Sequence, residues 1–290
     1  MKKILLCLPF LVMIQGCMLQ LTYNNLNWII PWYASDYITL NRSQKIVFDE
    51  TLHEILNWHR KTQLPAYATW LDDLQQEVEN RRTYRTDDIA LHAQVIYRFY
   101  QQLITAITPE LITLFSQISQ PQADSFFNAL AEDNLEWKEK HLNKSPEKHV
   151  SERRKNMNER LEEWLGELTG TQRGIIRSWA ASLQPTAPEQ LHQRYRWQAR
   201  AHTLVKTLDN PTSKRQVERL LIEPRHLWTQ EYARKNEVNR QTTLHFLRDI
   251  ANSLTEGQRQ HLIHKLQKLS GTLKSLSQKH PQDDQNLYTL

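Results

Sequence analysis

The histidines that could support acid–base or metal chemistry are scattered along this chain. His53-Glu54 could begin a zinc-protease helix, but Asn57 stands where the second histidine ligand would be needed. His261 and His264 lie three residues apart on a predicted helix and could form one edge of a metal site. No Asp, Glu or Cys lies in register to complete that site. We therefore expect no bound metal.

Other residues with catalytic chemistry are also poorly placed. Asp72-Asp73 and Asp87-Asp88 are adjacent pairs, whose side chains project in different directions on a helix. His59 falls on an apolar helical stripe, which favours a hydrogen-bonded core histidine over a ligand. Six glycines cannot readily build a phosphate-binding loop, and no G-x-S-x-G motif occurs. The sequence therefore predicts a protein that is not an enzyme and has no cofactor.

One segment alternates arginines with aromatic rings. Arg194-Tyr195-Arg196-Trp197, followed by Arg200, is a pattern found in single-strand nucleic-acid binders. The export signal described next argues against a nucleic-acid partner. We expect Trp197 to point inward, with the arginines in solvent or touching anionic envelope polymers.

The chain starts with two lysines and an apolar run that leads to a cysteine. The run from Ile4 to Ile14 is shorter than the ~20 residues that a membrane-spanning helix needs. These are the parts of a secretory signal that ends at Gly16. Removing the signal also removes Cys7, which leaves Cys17 as the sole cysteine. Without an internal disulfide, stability must come from packing.

Ile14-Gln15-Gly16-Cys17 resembles a bacterial lipobox. The resemblance implies a lipoprotein signal peptide over residues 1–16, cleavage between Gly16 and Cys17, and lipid on Cys17. It also implies a membrane-anchored protein that faces the periplasm. Met18 follows the cysteine, and the absence of Asp there is similar to lipoproteins sorted to the outer membrane, with the inner membrane as the alternative. A plain secretory signal that happens to end at a cysteine is the other interpretation.

A five-residue pattern recurs at four predicted helix starts. Each copy has an aliphatic residue, a capping residue, two variable residues and then Gln. The copies are Leu40–Gln44, Ile118–Gln122, Leu168-Thr169-Gly170-Thr171-Gln172 and Leu254-Thr255-Glu256-Gly257-Gln258. This spacing predicts a capping box: the capping side chain accepts from the backbone N–H three residues on, and the Gln accepts from the cap's own N–H.

Two resemblances follow from these motifs. Leu168-Thr169-x-x-Gln172 and Leu254-Thr255-x-x-Gln258 resemble the LTxxQ motif of Spy-type periplasmic chaperones, although plain helix capping would produce the same pattern. The order of Cys17, Trp58-His59-Arg60 and Arg160-Leu161-x-x-x-Leu165-Gly166 is similar to an uncharacterised family of proteobacterial helical lipoproteins. The second resemblance implies a fold and an address but no activity.

The composition and periodicity predict an all-α protein. Helix-favouring residues are plentiful and alternating β-branched runs are absent, so we expect an antiparallel bundle of about nine to eleven helices. One helical domain would span residues 17–278, with a possible hinge near 143–146 and a disordered polar tail at 279–290. Leu262, Leu266, Leu269, Leu273 and Leu276 form a seam that favours an antiparallel bundle contact.

Prolines and aromatic residues give further local predictions. One helix should end before Leu64-Pro65, and another should restart with Pro109 in its first turn. The apolar face that precedes Pro109 comprises Ile96, Phe99, Tyr100, Leu103 and Ile107. The aromatic-rich segment 21–37, interrupted by Pro31, is either a first helix buried against the body, which we favour, or a membrane-interface segment.

Two classes of function fit these features. The first is a binding or chaperone-like envelope protein that holds exposed segments of other proteins, which requires a contiguous apolar patch. The second is a structural or assembly lipoprotein with one specific protein or peptidoglycan partner. The formal net charge of +5 permits anionic partners without requiring them.

Overall fold

A computed structural model describes residues 16–278, with side chains from residue 18 onward. The twelve α-helices of this range are α1 (Gly16–Asn24), α2 (Leu26–Ala34), α3 (Arg42–Trp58), α4 (Leu64–Asn80), α5 (Thr86–Ser116), α6 (Gln120–Leu142), α7 (Pro146–Leu165), α8 (Gly170–Ser182), α9 (Ala187–Val205), α10 (Pro211–Ile222), α11 (Gln230–Asn252) and α12 (Glu256–Gln278). No strand occurs in this range, so the all-α prediction is confirmed. The apolar run of the predicted signal and the polar tail at 279–290 lie outside the described residues.

None of the helices within residues 16–278 combines the length and the apolar character that are needed to cross a bilayer.

Helices α3 and α4 form one continuous helical segment, although a helix was expected to end before Leu64-Pro65. A π-helical turn, His59–Gln63, joins the two helices, and the N–H of Leu64 donates to the carbonyl of His59 five residues earlier. Because Pro65 has no N–H, it cannot complete the α-helical ladder. The segment therefore changes from α-helical to π-helical hydrogen bonding there and stays helical. Counting α3 and α4 as one rod gives eleven continuous helices.

Two other predictions about prolines differ from the structure. Pro109 lies inside the uninterrupted helix α5 and not in a first turn. Thr108 stabilises the helix at this point, because its buried hydroxyl donates to the carbonyl of Ile104 at 2.7 Å. Pro31 also lies inside a helix, α2. Before α11, the residues Pro224–Leu227 form a separate 3₁₀ turn, because Thr229 caps a new helix start.

Three apolar clusters form the core, each between a different set of helices. The first joins α1, α4 and α12, and the second joins α5, α6, α9 and α10. The third joins α7, α8 and α11, with Leu254 and Leu262 packed against it. Residues 143–145 form the turn between α6 and α7, where a hinge was predicted, and Ser145 caps α7. The hinge itself stays a prediction.

The leucine seam of α12 packs against α4, as predicted. The contacts show that the two helices run in opposite directions. Ser270 donates to Asp72, and the buried Arg259 donates to the carbonyls of Val78 and Arg81. The guanidinium of Arg60 lies 3.5 Å from the carbonyl of Leu276 at the other end. This antiparallel pair buries the seam in the first cluster.

Candidate functional site

All four predicted capping boxes are present. Asn41, Ser119 and Thr169 each cap a helix whose box glutamine accepts from the cap's N–H. At α12, the Thr255 N–H donates to Gln258 Oε1 at 3.1 Å, and the Gln258 N–H donates to the Thr255 hydroxyl at 3.2 Å. The motif therefore pairs backbone donors that a helix start would otherwise leave without partners.

The four boxes also combine into two pairs, which the sequence did not indicate. Gln172 and Gln258 lie side by side, and the Nε2 of each donates to the Oε1 of the other at 2.8 and 2.9 Å. Each glutamine also donates to a carbonyl two residues before the partner's cap, Gln172 to Ser253 and Gln258 to Glu167. The two helix starts are thus locked together with local two-fold symmetry.

The same arrangement occurs a second time near the N-terminus of the fold. Gln44 and Gln122 exchange hydrogen bonds of 3.1 and 2.8 Å. Gln44 donates to the carbonyl of Gln117, and Gln122 donates to that of Thr39, again two residues before the partner's cap. The repeated motif therefore forms two tertiary contacts, Gln172–Gln258 and Gln44–Gln122, each between helix starts far apart in sequence. We call each of these glutamine pairs a clasp.

The box glutamines have no hydrogen-bonding capacity left for a ligand. An amide side chain can accept two hydrogen bonds and donate two. Gln172 uses all four positions, and its side chain is 0% exposed. Leu168, which begins the same motif, is buried in the third cluster, and Leu254 packs against it. Both LTxxQ copies are therefore explained by their structural role at helix starts.

One carboxylate of each adjacent acidic pair makes a structural contact. Asp72 accepts from Lys274 and Ser270, each at 2.6 Å, and the hydrogen bond from Lys274 lowers the pKa of its carboxyl. Asp88 accepts from the N–H of Arg85, the N-cap residue of α5, and this hydrogen bond lowers the pKa of the Asp88 carboxyl. These contacts fix helix ends and do not assemble an acid–base pair.

The histidines are likewise separate from one another. His261 and His264 are both exposed on α12, and His53 is exposed on α3. Across residues 16–278, no three His, Cys, Asp or Glu side chains come together as they would around a metal ion. The Nδ1 of His59 and the hydroxyl of Tyr23 share a 2.9 Å hydrogen bond, and burial lowers the pKa of His59 to about 4.

Trp197 points inward, as predicted, and its Nε1 donates to the carbonyl of Leu220 at 3.1 Å. The expectation that the neighbouring arginines lie in solvent is wrong for Arg194. Its Nε donates to Asn134 at 2.6 Å, and burial lowers the pKa of its guanidinium. The fully buried Asn134 explains this position, because its amide oxygen needs a donor.

Helix α5 carries an exposed aromatic face. Ile96, Tyr97 and Tyr100 are 52%, 43% and 45% exposed, and Ile96 and Tyr100 belong to the apolar face identified in the sequence. Within α5, Thr108 alone is fully buried. The inner side of the helix packs through Phe99, whose ring centroid lies 4.6 Å from that of Tyr67 on α4. The apolar face of α5 is therefore wider than the surface that the neighbouring helices cover.

The exposed rings of α5 are held in position by neighbouring side chains. The guanidinium of Arg225 lies 5.0 Å from the ring centroid of Tyr97. Gln101 donates to the Tyr97 hydroxyl at 2.9 Å, and the Tyr97 and Tyr100 centroids are 6.2 Å apart. A fixed ring loses little conformational entropy when a partner covers it. We call Ile96, Tyr97, Tyr100 and Arg225 the α5 face.

The aromatic-rich segment 21–37 is only partly buried. Tyr23 and the preceding Leu19 lie in the first cluster, as the expected burial requires. Trp28 and Trp32 are instead exposed, and no residue of α2 is buried. The burial expected for the whole segment is therefore wrong for α2. The spacing of 28 and 32 could have indicated this, because it places both rings opposite the face of Tyr23.

Comparison with known protein families identifies the family of this chain. A model described as a family of unknown function (DUF6279) matches residues 36–233. The match includes α5 and both capping boxes of the Gln44–Gln122 pair, whereas α1, α2 and the Thr255–Gln258 capping box lie outside it. No curated protein and no solved structure matches the chain.

Proposed function

We propose a binding role for this chain, which belongs to the family of unknown function DUF6279. The protein is a lipid-anchored envelope protein that binds segments of other proteins and does not catalyse a reaction. Lipid on Cys17 would hold it at the outer membrane of a proteobacterium, facing the periplasm. The observation that carries the binding role is the α5 face, where two positioned tyrosines and an isoleucine stay exposed on a helix that the matched region includes.

The composition of the α5 face suits protein segments. Tyr and Arg are enriched at the centres of protein–protein interfaces because they combine apolar area with a polar group. Arg225 stacks over Tyr97, so the face offers both an aromatic anchor and a guanidinium. An apolar side chain of a client would cover Ile96 and Tyr100, and a client carboxylate or carbonyl would pair with Arg225.

A non-enzymatic role is consistent with the use of the polar residues in the body. One carboxylate of each acidic pair has a structural partner: Asp88 at the start of α5 and Asp72 in the α4–α12 contact. A surface groove of about 330 Å³ lies along the first turns of α7, lined by Pro146, Glu147, Val150, Ser151 and Arg154. Its residues come from one helix end, so no second element contributes a facing reactive group.

A second candidate is a structural or assembly lipoprotein with one specific partner. The fixed position of the Tyr97 ring favours this alternative, because chaperones that accept many clients use adaptable surfaces. A specific protein would dock on the same α5 face. A peptidoglycan partner would depend on the basic residues and would leave the aromatic rings exposed.

The two candidates are separated by suppression of aggregation. The test uses the leaderless chain with Cys17→Ser, two unrelated unfolding clients and light scattering. The chaperone-like role predicts suppression of both clients at near-stoichiometric amounts, and loss of most of it in Tyr97→Ser/Tyr100→Ser. Tyr195→Ser is the matched control, because Tyr195 is a tyrosine of similar exposure, 41%, on α9.

The outcomes are distinct. Suppression that both substitutions reduce equally would contradict a role for the α5 face. No suppression of either client would favour the single-partner alternative. Lipidation is tested separately by palmitate labelling in cells, which Cys17→Ser should abolish, and by separating the inner and outer membranes. Labelling that persists in Cys17→Ser would refute the anchor.

A further inference from the structure

Four large apolar side chains are exposed on one side of α1 and α2. We call Met18, Leu21, Trp28 and Trp32 the N-terminal stripe, and each of them is more than half exposed. At about 100° per residue these positions fall on one face of a helix. Asn25 joins the two helices through hydrogen bonds on both sides: its N–H donates to the carbonyl of Leu21 in α1 at 3.2 Å, and its carbonyl accepts from the N–H of Ile29 in α2 at 2.9 Å.

The opposite face fixes this segment to the body. Leu19 and Tyr23 are buried in the first cluster, and the guanidinium of Arg60 lies 5.2 Å from the Tyr23 ring centroid. At the other end, the Tyr37 hydroxyl donates to Asp133 on α6 at 2.6 Å. Since both ends are held, the segment cannot roll to bury the stripe. The stripe is a rigid outward surface of the folded protein.

The N-terminal stripe is uncharged as well as exposed. No charged residue occurs between Cys17 and Ser35, and Asp36 is the first that follows. The rings of Trp28 and Trp32 are stacked, with centroids 6.2 Å apart and an angle of 8° between their planes. Contiguous exposed apolar side chains mark a contact surface, and Trp is favoured where hydrocarbon meets water.

We propose that the N-terminal stripe lies in the interfacial layer of a lipid bilayer, parallel to the membrane plane. This inference rests on the proposed lipid anchor, because the stripe begins at the residue directly after Cys17. Acylation there would hold Met18 against the leaflet, within one residue of the membrane. The helices cannot span the bilayer, so the apolar face enters it sideways. The stripe therefore adds a non-covalent contact that sets the orientation of the body.

The membrane is the occupant that the position favours over a protein or a second copy. Any protein on the stripe would have to fit between the body and the leaflet to which Cys17 is attached. Lipid headgroups and acyl chains already occupy that space. Trp28 and Trp32 at headgroup depth would then direct the remaining surface, including the α5 face, into the periplasm.

Single-cysteine accessibility tests this placement. In the lipidated protein Cys7 is lost with the signal and the sulfur of Cys17 carries lipid, so an introduced cysteine is the sole thiol. Leu21→Cys and Trp28→Cys are compared with Leu135→Cys, whose native side chains are 65%, 66% and 57% exposed. The proteins are added to preformed vesicles of phosphatidylethanolamine and phosphatidylglycerol and treated with a membrane-impermeant maleimide.

We expect Leu21→Cys and Trp28→Cys to react at least about tenfold more slowly than Leu135→Cys on vesicles. In the leaderless Cys17→Ser background without vesicles, all three should react at similar rates. Equal rates on vesicles would overturn the inference. Protection that persists without vesicles would also overturn it, because the stripe would then be covered by another copy of the chain.

The wild-type protein separates this inference from the proposed anchor. If Cys17 is lipidated, the wild type does not react with the maleimide. A reactive wild type would refute the anchor and, with it, the stripe's placement. An unreactive wild type together with fast labelling of Leu21→Cys would leave the anchor intact and refute the stripe alone.

Emission quenching gives a second measurement that needs no cysteine. Trp28 and Trp32 are two of nine tryptophans in the chain. Brominated acyl chains should therefore quench about a fifth of the emission of the lipidated protein, and none of it after Trp28→Phe/Trp32→Phe. Quenching that is equal in both proteins would contradict the placement.

Discussion

Replacing Gln172 with methionine tests whether the paired capping boxes hold the fold together. Methionine keeps the length and approximate volume of the side chain but makes none of its four hydrogen bonds. The helix cap loses one bond at about 1 kcal/mol. The amide of Gln258 loses one donor and one acceptor partner in a buried position, which costs about 2–3 kcal/mol. We therefore expect Gln172→Met to lower the free energy of unfolding by about 3–4 kcal/mol.

Urea unfolding followed by far-UV circular dichroism measures this effect. Gln260→Met is the control, because Gln260 lies two residues beyond Gln258 on the exposed face of α12 and should change stability by less than about 0.5 kcal/mol. In a double-mutant cycle, Gln172→Met and Gln258→Met together should cost about 2 kcal/mol less than the sum of the single changes. Additive losses would show that the two glutamines act as independent caps. A loss no larger than that of Gln260→Met would refute the clasp.

Three other predictions concern single sites in the same unfolding assay. Burial lowers the pKa of His59 to about 4, so the neutral form is favoured on folding, and stability should fall by up to about 3 kcal/mol as pH drops from about 6.5 to 4. His59→Gln should lose this part of the pH dependence, and an unchanged profile would contradict the assignment. Gly166 has φ 77°, so Gly166→Ala should cost about 1–3 kcal/mol, whereas Gly271→Ala inside α12 should stabilise by about 0.5–1 kcal/mol; the same sign for both would be inconsistent with this account. Arg259→Met leaves two carbonyls without their buried donor and should cost about 2–4 kcal/mol, against less than about 0.5 kcal/mol for the exposed Arg82→Met.

Local features of this fold could be predicted from the sequence because they depend on residues a few positions apart. The capping box at Thr169 needs Gln172 three residues later, and both are visible in the sequence. The inward face of α12 likewise follows from the spacing of its leucines. The pairing of Gln172 with Gln258 could not be predicted, because it joins residues 86 positions apart and depends on how two turns approach each other.

The incorrect predictions have identifiable physical causes. Pro109 does not restart a helix, because the loss of one hydrogen bond is tolerated where Thr108 supplies a side-chain bond to the preceding turn. The periodicity of α5 identifies its apolar face but not which neighbouring residues cover that face. The exposure of Tyr100 and Trp28 depends on the surrounding helices, which no local pattern reveals.

Site-specific photo-crosslinking in intact cells tests the binding role most directly. A photoreactive amino acid is placed at Ile96 on the α5 face and, as a control, at the similarly exposed Leu135 on α6. Our account predicts protein adducts from position 96 on illumination, few or none from position 135, and loss of the adducts when Tyr97→Ser/Tyr100→Ser is added. Equal adducts from both positions, or none from position 96, would contradict the α5 face as a protein-binding surface.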